Sequence, residues 1–91
     1  MITAIVLIHA VADSIPETAQ AIADTEGVSE VYSCAGEVDL IAVVRVTAHE
    51  DLADLIPARI GKVDGVLDTE THIAFRSYST ADSDSAFDIG E

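Results

Sequence analysis

Two segments of the sequence are apolar on both faces of the strand that each would form. Residues 2–11 and 38–46 are almost continuously apolar and rich in β-branched side chains, which favour strands. In the first segment, Ile5 and Leu7 fall on one face of the strand while Val6 falls on the other. An antiparallel sheet that exposes one face to water alternates apolar with polar residues. We therefore expect both faces of the sheet to be covered.

Two other segments have the spacing of apolar residues that is typical of helices. Each is expected to begin with a capping box, in which a hydroxyl residue is followed three positions later by Glu. The boxes are Ser14 with Glu17, and Thr47 with Glu50. The second helix is expected to continue to residue 63 and to bend at Pro57, because proline lacks the amide hydrogen of a helical bond.

The complete order of elements is β-α-β-β-α-β. The predicted strands cover residues 2–11, 28–34, 38–46 and 66–75. This order predicts an α+β, ferredoxin-like fold, with an antiparallel four-stranded sheet and both helices on one face. Residues 1–76 are expected to form one domain, followed by an acidic, Ser- and Asp-rich tail at 77–91 that we expect to be flexible.

The helix-free face of this sheet has no cover in the chain itself. In the third strand, the alternating side chains are Leu40, Ala42 and Val44 on one face, and Ile41, Val43 and Val46 towards the other. A domain of this size has a marginal core, and one cysteine allows no internal disulfide. A second copy of the chain is the simplest cover. We therefore predict a homodimer that pairs sheet to sheet, as in a dimeric α+β barrel.

The charge balance excludes several kinds of partner. The chain has 17 acidic residues against four basic ones, for a net charge of −13. Nucleic-acid binding needs clustered lysine and arginine, so direct contact with nucleic acid is not expected, and anionic membranes are disfavoured likewise. Acids spread along the whole chain with little lysine are typical of halophilic proteins, in which concentrated salt screens self-repulsion. An acidic partner-binding surface is the alternative interpretation.

The apolar segments are too short to indicate a membrane protein. No stretch approaches the roughly 20 apolar residues of a membrane span. The apolar start lacks the basic residues of a signal peptide and is interpreted as a strand. These features predict a cytoplasmic protein.

The sequence contains no pattern that indicates catalysis or a bound metal. His9, His49 and His72 fall on three different elements, without the spacing of metal ligands. Cys34 ends an apolar strand and is interpreted as a small buried thiol. No catalytic triad and no glycine-rich phosphate loop is found. We expect no catalytic residue, metal or cofactor, although a small enzyme with His9 or His72 facing a cavity stays an alternative.

Three stretches together resemble a known family. They are GVSEV at residues 27–31, GEVDL at 36–40 and GVLDTETHI at 65–73. With the order of elements, they resemble the effector-binding (RAM) domain of Lrp/AsnC-type transcriptional regulators over residues 1–76. The resemblance implies sheet-to-sheet dimers that assemble into rings, often octamers, with an amino acid bound between dimers near the hairpin loop. The helix-turn-helix of full-length regulators is not found before the first strand, and stand-alone domains are part of the family.

The resemblance implies five ligand-binding residues, namely Gly36, Glu37, Asp39, Thr69 and Thr71. Asp39 can pair with the ammonium group of an amino acid, or it can bond nearby backbone amides as a turn residue. Gly36 permits a positive φ and would let a ligand carboxylate approach backbone amides. The two threonines can bond a ligand or can simply favour the strand. Val38 stands where the family often has an aromatic residue, which alters the expected pocket shape.

Together, these features predict a module that senses a small metabolite, such as an amino acid, and oligomerises. Such a module would modulate transcription through a partner or by joining full-length Lrp/AsnC regulators. A structural assembly subunit without a ligand is the first alternative, and a small dimeric α+β barrel enzyme is the second. The three share the dimer and differ in the pocket.

Overall fold

The four strands and two helices occur in the predicted order. The computed structural model describes residues 1–80, so most of the predicted tail at 77–91 lies outside the described residues. The strands are β1 (Ile2–Ala10), β2 (Val28–Ser33), β3 (Leu40–Val46) and β4 (Val66–Ile73), and the helices are α1 (Ile15–Ala23) and α2 (His49–Ala58). Short 3-10 turns occupy Ala12–Ser14 and Ile60–Lys62.

The sheet is antiparallel and has the strand order β2-β3-β1-β4. β1 pairs with β3 from Ile2 opposite Val46 to Ile8 opposite Leu40, and it pairs with β4 along its other edge. Helix α1 connects β1 to β2, and α2 connects β3 to β4. In both cases the two strands are not neighbours in the sheet, as a ferredoxin-like fold requires. The predicted α+β fold class is therefore confirmed.

The core lies between the sheet and the two helices. Its buried apolar side chains are Ala4, Val6, Ile8, Ala10, Ile22, Leu40, Ala42, Val44, Leu52, Leu55, Ile56 and Ile60. The strand members are the even-numbered residues of β1 and β3, because alternate side chains of a strand share a face. Val46 also packs against this core, so its assignment to the opposite face was wrong.

The helix-free face of the sheet, which we call the open face, is apolar only at its centre. Ile5 stands opposite Val43 and Leu7 opposite Ile41 on the two central strands, and Ile5 is 38% exposed. The edge strands contribute polar side chains instead, which are Glu30 and Tyr32 on β2 and Asp68, Glu70 and His72 on β4. The expectation of a second apolar face, made from the first and third strands, therefore holds for these two central strands, and the edge strands border them with polar side chains.

Both helices begin differently from the predicted capping boxes. The Ser14 side chain makes no cap bond to α1. At α2 the N-cap is Ala48, and the carboxylate of Asp51, rather than that of Glu50, accepts the Ala48 amide at 3.2 Å. Thr47 Oγ1 also donates to Asp51 at 3.3 Å. The cap therefore uses a carboxylate one position further along the chain than predicted.

α2 ends at Ala58, one residue after Pro57, instead of continuing to residue 63. Proline cannot donate the next helical hydrogen bond and crowds the preceding turn, so a helix rarely extends far beyond it. The chain tightens into the 3-10 turn Ile60–Lys62, which still buries Ile60 completely. The apolar spacing was interpreted correctly as burial and wrongly as continuous helix.

A tight contact joins α1 to the turn before β4. Thr18 is 1% exposed, and its Oγ1 donates to the Asp64 carbonyl at 3.1 Å. Gly65 has a φ of +97°, and a Cβ at this position would lie 2.1 Å from Thr18 Oγ1. The Gly65 carbonyl accepts the Val11 amide at 2.8 Å. These contacts hold the start of β4 against the end of β1.

Replacing Gly65 with alanine is expected to destabilise the fold severely. The positive φ costs an L residue about 1–2 kcal/mol, and the clash with the buried Thr18 adds about 1–3 kcal/mol. Gly36→Ala is the matched control, because Gly36 also has a positive φ of +135° but has no atom within 4 Å of a Cβ. Urea denaturation at equal protein concentration should show the larger loss for Gly65→Ala. Equal losses would mean that the contact with Thr18 contributes nothing.

Candidate functional site

The loop between β2 and β3, residues 34–39, lies on the end of β1; we call it the hairpin loop. Three consecutive residues of β1 contact it. The Asp39 amide donates to the Ile8 carbonyl at 3.0 Å, and the Asp39 carboxylate accepts the Ala10 amide at 2.8 Å. His9 Nε2 lies 2.8 Å from the carbonyl oxygen of Glu37. The hairpin loop is therefore held by the central strand of the sheet.

The Asp39 carboxylate takes the place of a missing strand partner. The pairing of β1 with β3 stops at Ile8 opposite Leu40, so β3 offers no carbonyl to the Ala10 amide. Ala10 is 6% exposed, and a buried amide without an acceptor is costly. Asp39 Oδ2 supplies that acceptor, which is the turn role expected as one of its two interpretations. The other oxygen, Oδ1, makes no hydrogen bond within residues 1–80.

His9 links the hairpin loop to β4. Its Nδ1 lies 2.6 Å from Asp68 Oδ1, and the two side chains are 46% and 69% exposed. The hydrogen bond to Asp68, followed by that to the Glu37 carbonyl, raises the pKa of His9 above its ordinary value. The pair was not predicted from the sequence, because 59 positions separate the two residues. The antiparallel pairing of β1 with β4 was the one signal that could have found it.

The five predicted ligand-binding residues do not form one cluster within the chain. Three of them, Gly36, Glu37 and Asp39, share the hairpin loop. Thr69 and Thr71 stand opposite Ile8 and Val6, whose side chains face the core, so both threonines lie on the helix side of the sheet. Within the described part of the chain, no hydrogen bond joins either threonine to the hairpin loop.

A cavity of about 390 Å³ lies at the C-terminal end of β3, and the hairpin loop lies at the other end of this strand. Its lining includes Gly27, Val46 and Leu55, together with Arg59, whose Nε lies 3.7 Å from Asp54 Oδ2. The cavity shares no residue with the hairpin loop. It therefore gives no support to the predicted ligand site, which depends on the loop.

Two other sequence-based expectations concern Cys34 and metal ligands. Cys34 is partly exposed instead of buried, and its Sγ lies 3.7 Å from the Tyr32 carbonyl oxygen. Among residues 1–80, no group of three His, Cys, Asp or Glu side chains is close enough to hold a metal ion. The helices of the same region are each too short or too polar to cross a bilayer.

Asp39→Ala is expected to destabilise the protein by about 1–3 kcal/mol, because it leaves the buried Ala10 amide without an acceptor. Asp39→Asn keeps a carbonyl oxygen at the same position and should retain most of the stability. Denaturant midpoints at equal protein concentration measure both variants against the unmodified chain. Equal losses for Asn and Ala would contradict the role assigned to the bond between Asp39 and Ala10.

Comparisons with known proteins agree with the resemblance seen in the sequence. The family model described as the Lrp/AsnC ligand binding domain matches residues 3–83. The HTH-type transcriptional regulator LrpA of Pyrococcus horikoshii is 42% identical over 50 residues, which cover 55% of this chain and 36% of the regulator. An uncharacterized HTH-type transcriptional regulator of Pyrococcus furiosus is 36% identical over 73 residues, which cover 80% of this chain and 49% of the regulator. The chain thus spans less than half the length of these curated regulators.

Solved structures of similar fold include proteins of nearly the same length as this chain. The protein TTHA0845 from Thermus thermophilus has a TM-score of 0.81 and 43% identity, covering 87% of this chain and 99% of its own. The hypothetical protein PHS023 from Pyrococcus horikoshii has a TM-score of 0.77 and 31% identity, and the match covers 86% of this chain and 94% of that protein. A feast or famine regulatory protein of M. tuberculosis, complexed with L-methionine, has a TM-score of 0.72 and 30% identity. The match covers 88% of this chain and 54% of that protein.

Motifs, topology and the family match over most of the sequence point to one assignment: the chain belongs to the Lrp/AsnC ligand binding domain family.

Proposed function

We propose that this chain is an amino-acid-sensing and oligomerisation module that modulates transcription. The observation that carries the proposal is the hairpin loop, which three residues of β1 hold in place, while one oxygen of Asp39 has no hydrogen bond within residues 1–80. Family membership supports ligand binding, and the curated relatives are transcriptional regulators. The relative from M. tuberculosis that was solved with L-methionine supports an amino acid as the ligand.

The hairpin loop offers groups for both charges of an amino acid. Asp39 and the exposed Glu37 supply negative charge for the ammonium group. Gly36 has no side chain to obstruct the approach of a carboxylate to the backbone amides of the loop, and no atom lies within 4 Å of a Cβ built there. The hairpin loop therefore offers groups for both ends of a zwitterion.

The site is proposed to be completed by a neighbouring chain. Thr69 and Thr71 lie on the helix side of β4, away from the hairpin loop of their own chain. We therefore assign their hydroxyls to a ligand held by the loop of another subunit. This arrangement agrees with the family resemblance, in which the effector lies between dimers that assemble into rings, often octamers.

The open face is proposed to be the dimer interface. Its centre consists of Ile5, Leu7, Ile41 and Val43, and polar side chains of β2 and β4 surround this centre. An apolar centre with a polar border is the usual anatomy of a protein interface.

The ring of dimers would then contact full-length regulators or another partner, because the net charge of −13 opposes direct contact with DNA.

The bond between Asp39 and Ala10 supports a second candidate, a structural assembly subunit without a ligand. In that case the carboxylate serves only to complete the end of β1. The amino acid screen below separates the two candidates.

We expect at least one amino acid to raise the midpoint temperature of thermal unfolding in about 1 M KCl. At concentrations above Kd, this increase should grow with the logarithm of the amino acid concentration. Asp39→Asn keeps the acceptor for Ala10 but lacks the charge, so it should weaken binding at least about tenfold, as for a lost charged hydrogen bond. Asp13→Asn, an exposed acid outside the hairpin loop, is the control and should bind normally. A screen without any stabilising amino acid would favour the structural subunit.

Ile5→Glu is expected to convert the dimer into a monomer, because it places a charge at the centre of the open face. Ile5 is 38% exposed within one chain, so the isolated fold can tolerate the change. Ala53→Glu, on the exposed surface of α2, is the matched control and should remain dimeric. Light scattering measures both masses. A monomeric unmodified chain, or a dimer that survives Ile5→Glu, would contradict the proposed interface.

A further inference from the structure

Both ring nitrogens of His9 face hydrogen-bond acceptors. Nδ1 lies 2.6 Å from a carboxylate oxygen of Asp68, and Nε2 lies 2.8 Å from the backbone carbonyl oxygen of Glu37. Neither acceptor can donate a proton to the ring at neutral pH. A neutral imidazole has one N–H group and satisfies one of the two contacts, whereas an imidazolium has two and satisfies both. The charged carboxylate of Asp68 is the stronger acceptor, so the single proton of a neutral ring stays on Nδ1 and the bond to the Glu37 carbonyl is lost.

We propose that His9, as an imidazolium, is the positioning residue that holds the tip of the hairpin loop, residues 35–37, against β4, and that loss of its proton releases the tip. The other anchors of the loop do not involve His9. Asp39 is bonded to the backbone of Ile8 and Ala10 on the other side of the tip. The release is therefore confined to residues 35–37 and leaves the sheet intact.

The charged groups around His9 favour the imidazolium. Asp68 faces it from β4 and Asp39 from the hairpin loop, and both charges are negative. Glu70, the next acid on the same face of β4, is bonded instead to His72 at 3.0 Å. The two helices lie on the opposite face of the sheet and contribute no charge to this contact.

The pH dependence follows from the direction of the shift. The hydrogen bond to Asp68 and that to the Glu37 carbonyl raise the pKa of His9 above its ordinary value of 6.5. A raised pKa in the folded state means that the contact stabilises the closed tip fully below about pH 6.5. This stabilisation is lost as the pH rises through the raised pKa of His9.

This inference rests on the proposed function in one respect only. If an amino acid binds at Gly36 and Asp39, then ligand affinity should fall as His9 loses its proton, because a smaller fraction of the chains keeps the tip in place. The release of the tip itself is a property of the protein without ligand.

Nitrogen NMR of the complete chain in about 1 M KCl, from about pH 5.5 to about pH 9, tests the proposal. Both ring nitrogens of His9 should be protonated at the acidic end. The backbone order parameter of Glu37 should fall from about 0.85 to below about 0.6 as His9 titrates. In His9→Ala, which removes both donors, Glu37 should be flexible at every pH. In Asp68→Asn, the midpoints of both the ring titration and the loop release should move to lower pH.

His49→Ala is the matched control, because it removes an exposed histidine at the start of α2, on the opposite side of the sheet from His9. Glu37 should behave in this variant as in the unmodified chain. Equal order at Glu37 in His9→Ala and the unmodified chain at about pH 5.5, a release that does not follow the His9 titration, or a flexible Glu37 in His49→Ala at about pH 5.5 would each overturn the proposal.

The same samples distinguish this inference from the proposed function. Amino acid binding is measured at both ends of the pH range. If the tip follows His9 but no amino acid binds at either pH, the proposed function fails and the role of His9 stands. If an amino acid binds equally well at both ends and Glu37 stays ordered, the role of His9 fails and the proposed function stands.

Discussion

The register of β1 between β3 and β4 is the constraint on which the rest of the structure depends. Ala4, Val6 and Ile8 are completely buried, while the intervening residues form the centre of the open face. Because both edges of β1 are bonded, a slip of one residue would exchange the two faces of the strand. The slip would carry His9 towards the core and Ile8 towards solvent. Core and hairpin loop therefore depend on the same register.

The hairpin loop gains its shape from β1 more than from its own two strands. Past Ile8 the pairing of β1 with β3 stops, and side-chain and backbone groups of the loop replace the absent strand. A loop that is tied to the most deeply buried strand can present Gly36 and Asp39 in a defined arrangement, as a binding site requires.

Several departures from the sequence-based expectations share one cause. Asp51 caps α2 in place of Glu50, because the helix begins one residue later than the pattern indicated. The helix ends just after Pro57, although the apolar spacing continues to Ile60. Asp68 meets His9 across the pairing of β1 with β4, which no local pattern indicated. In each case the local pattern identified the type of residue correctly, and neighbouring elements decided its position.

The sequence by itself determined the order of elements, the fold class, the two faces of β1 and the family, because these follow from strand and helix periodicity and from turn motifs within a few residues. Only the tertiary structure decided that Asp39 bonds Ala10, that Thr69 and Thr71 lie on the helix side, and that His9 meets Asp68. The physical reason is that hydrogen-bond partners across a sheet depend on register. Register is set by burial of the whole core, which no short stretch of sequence contains.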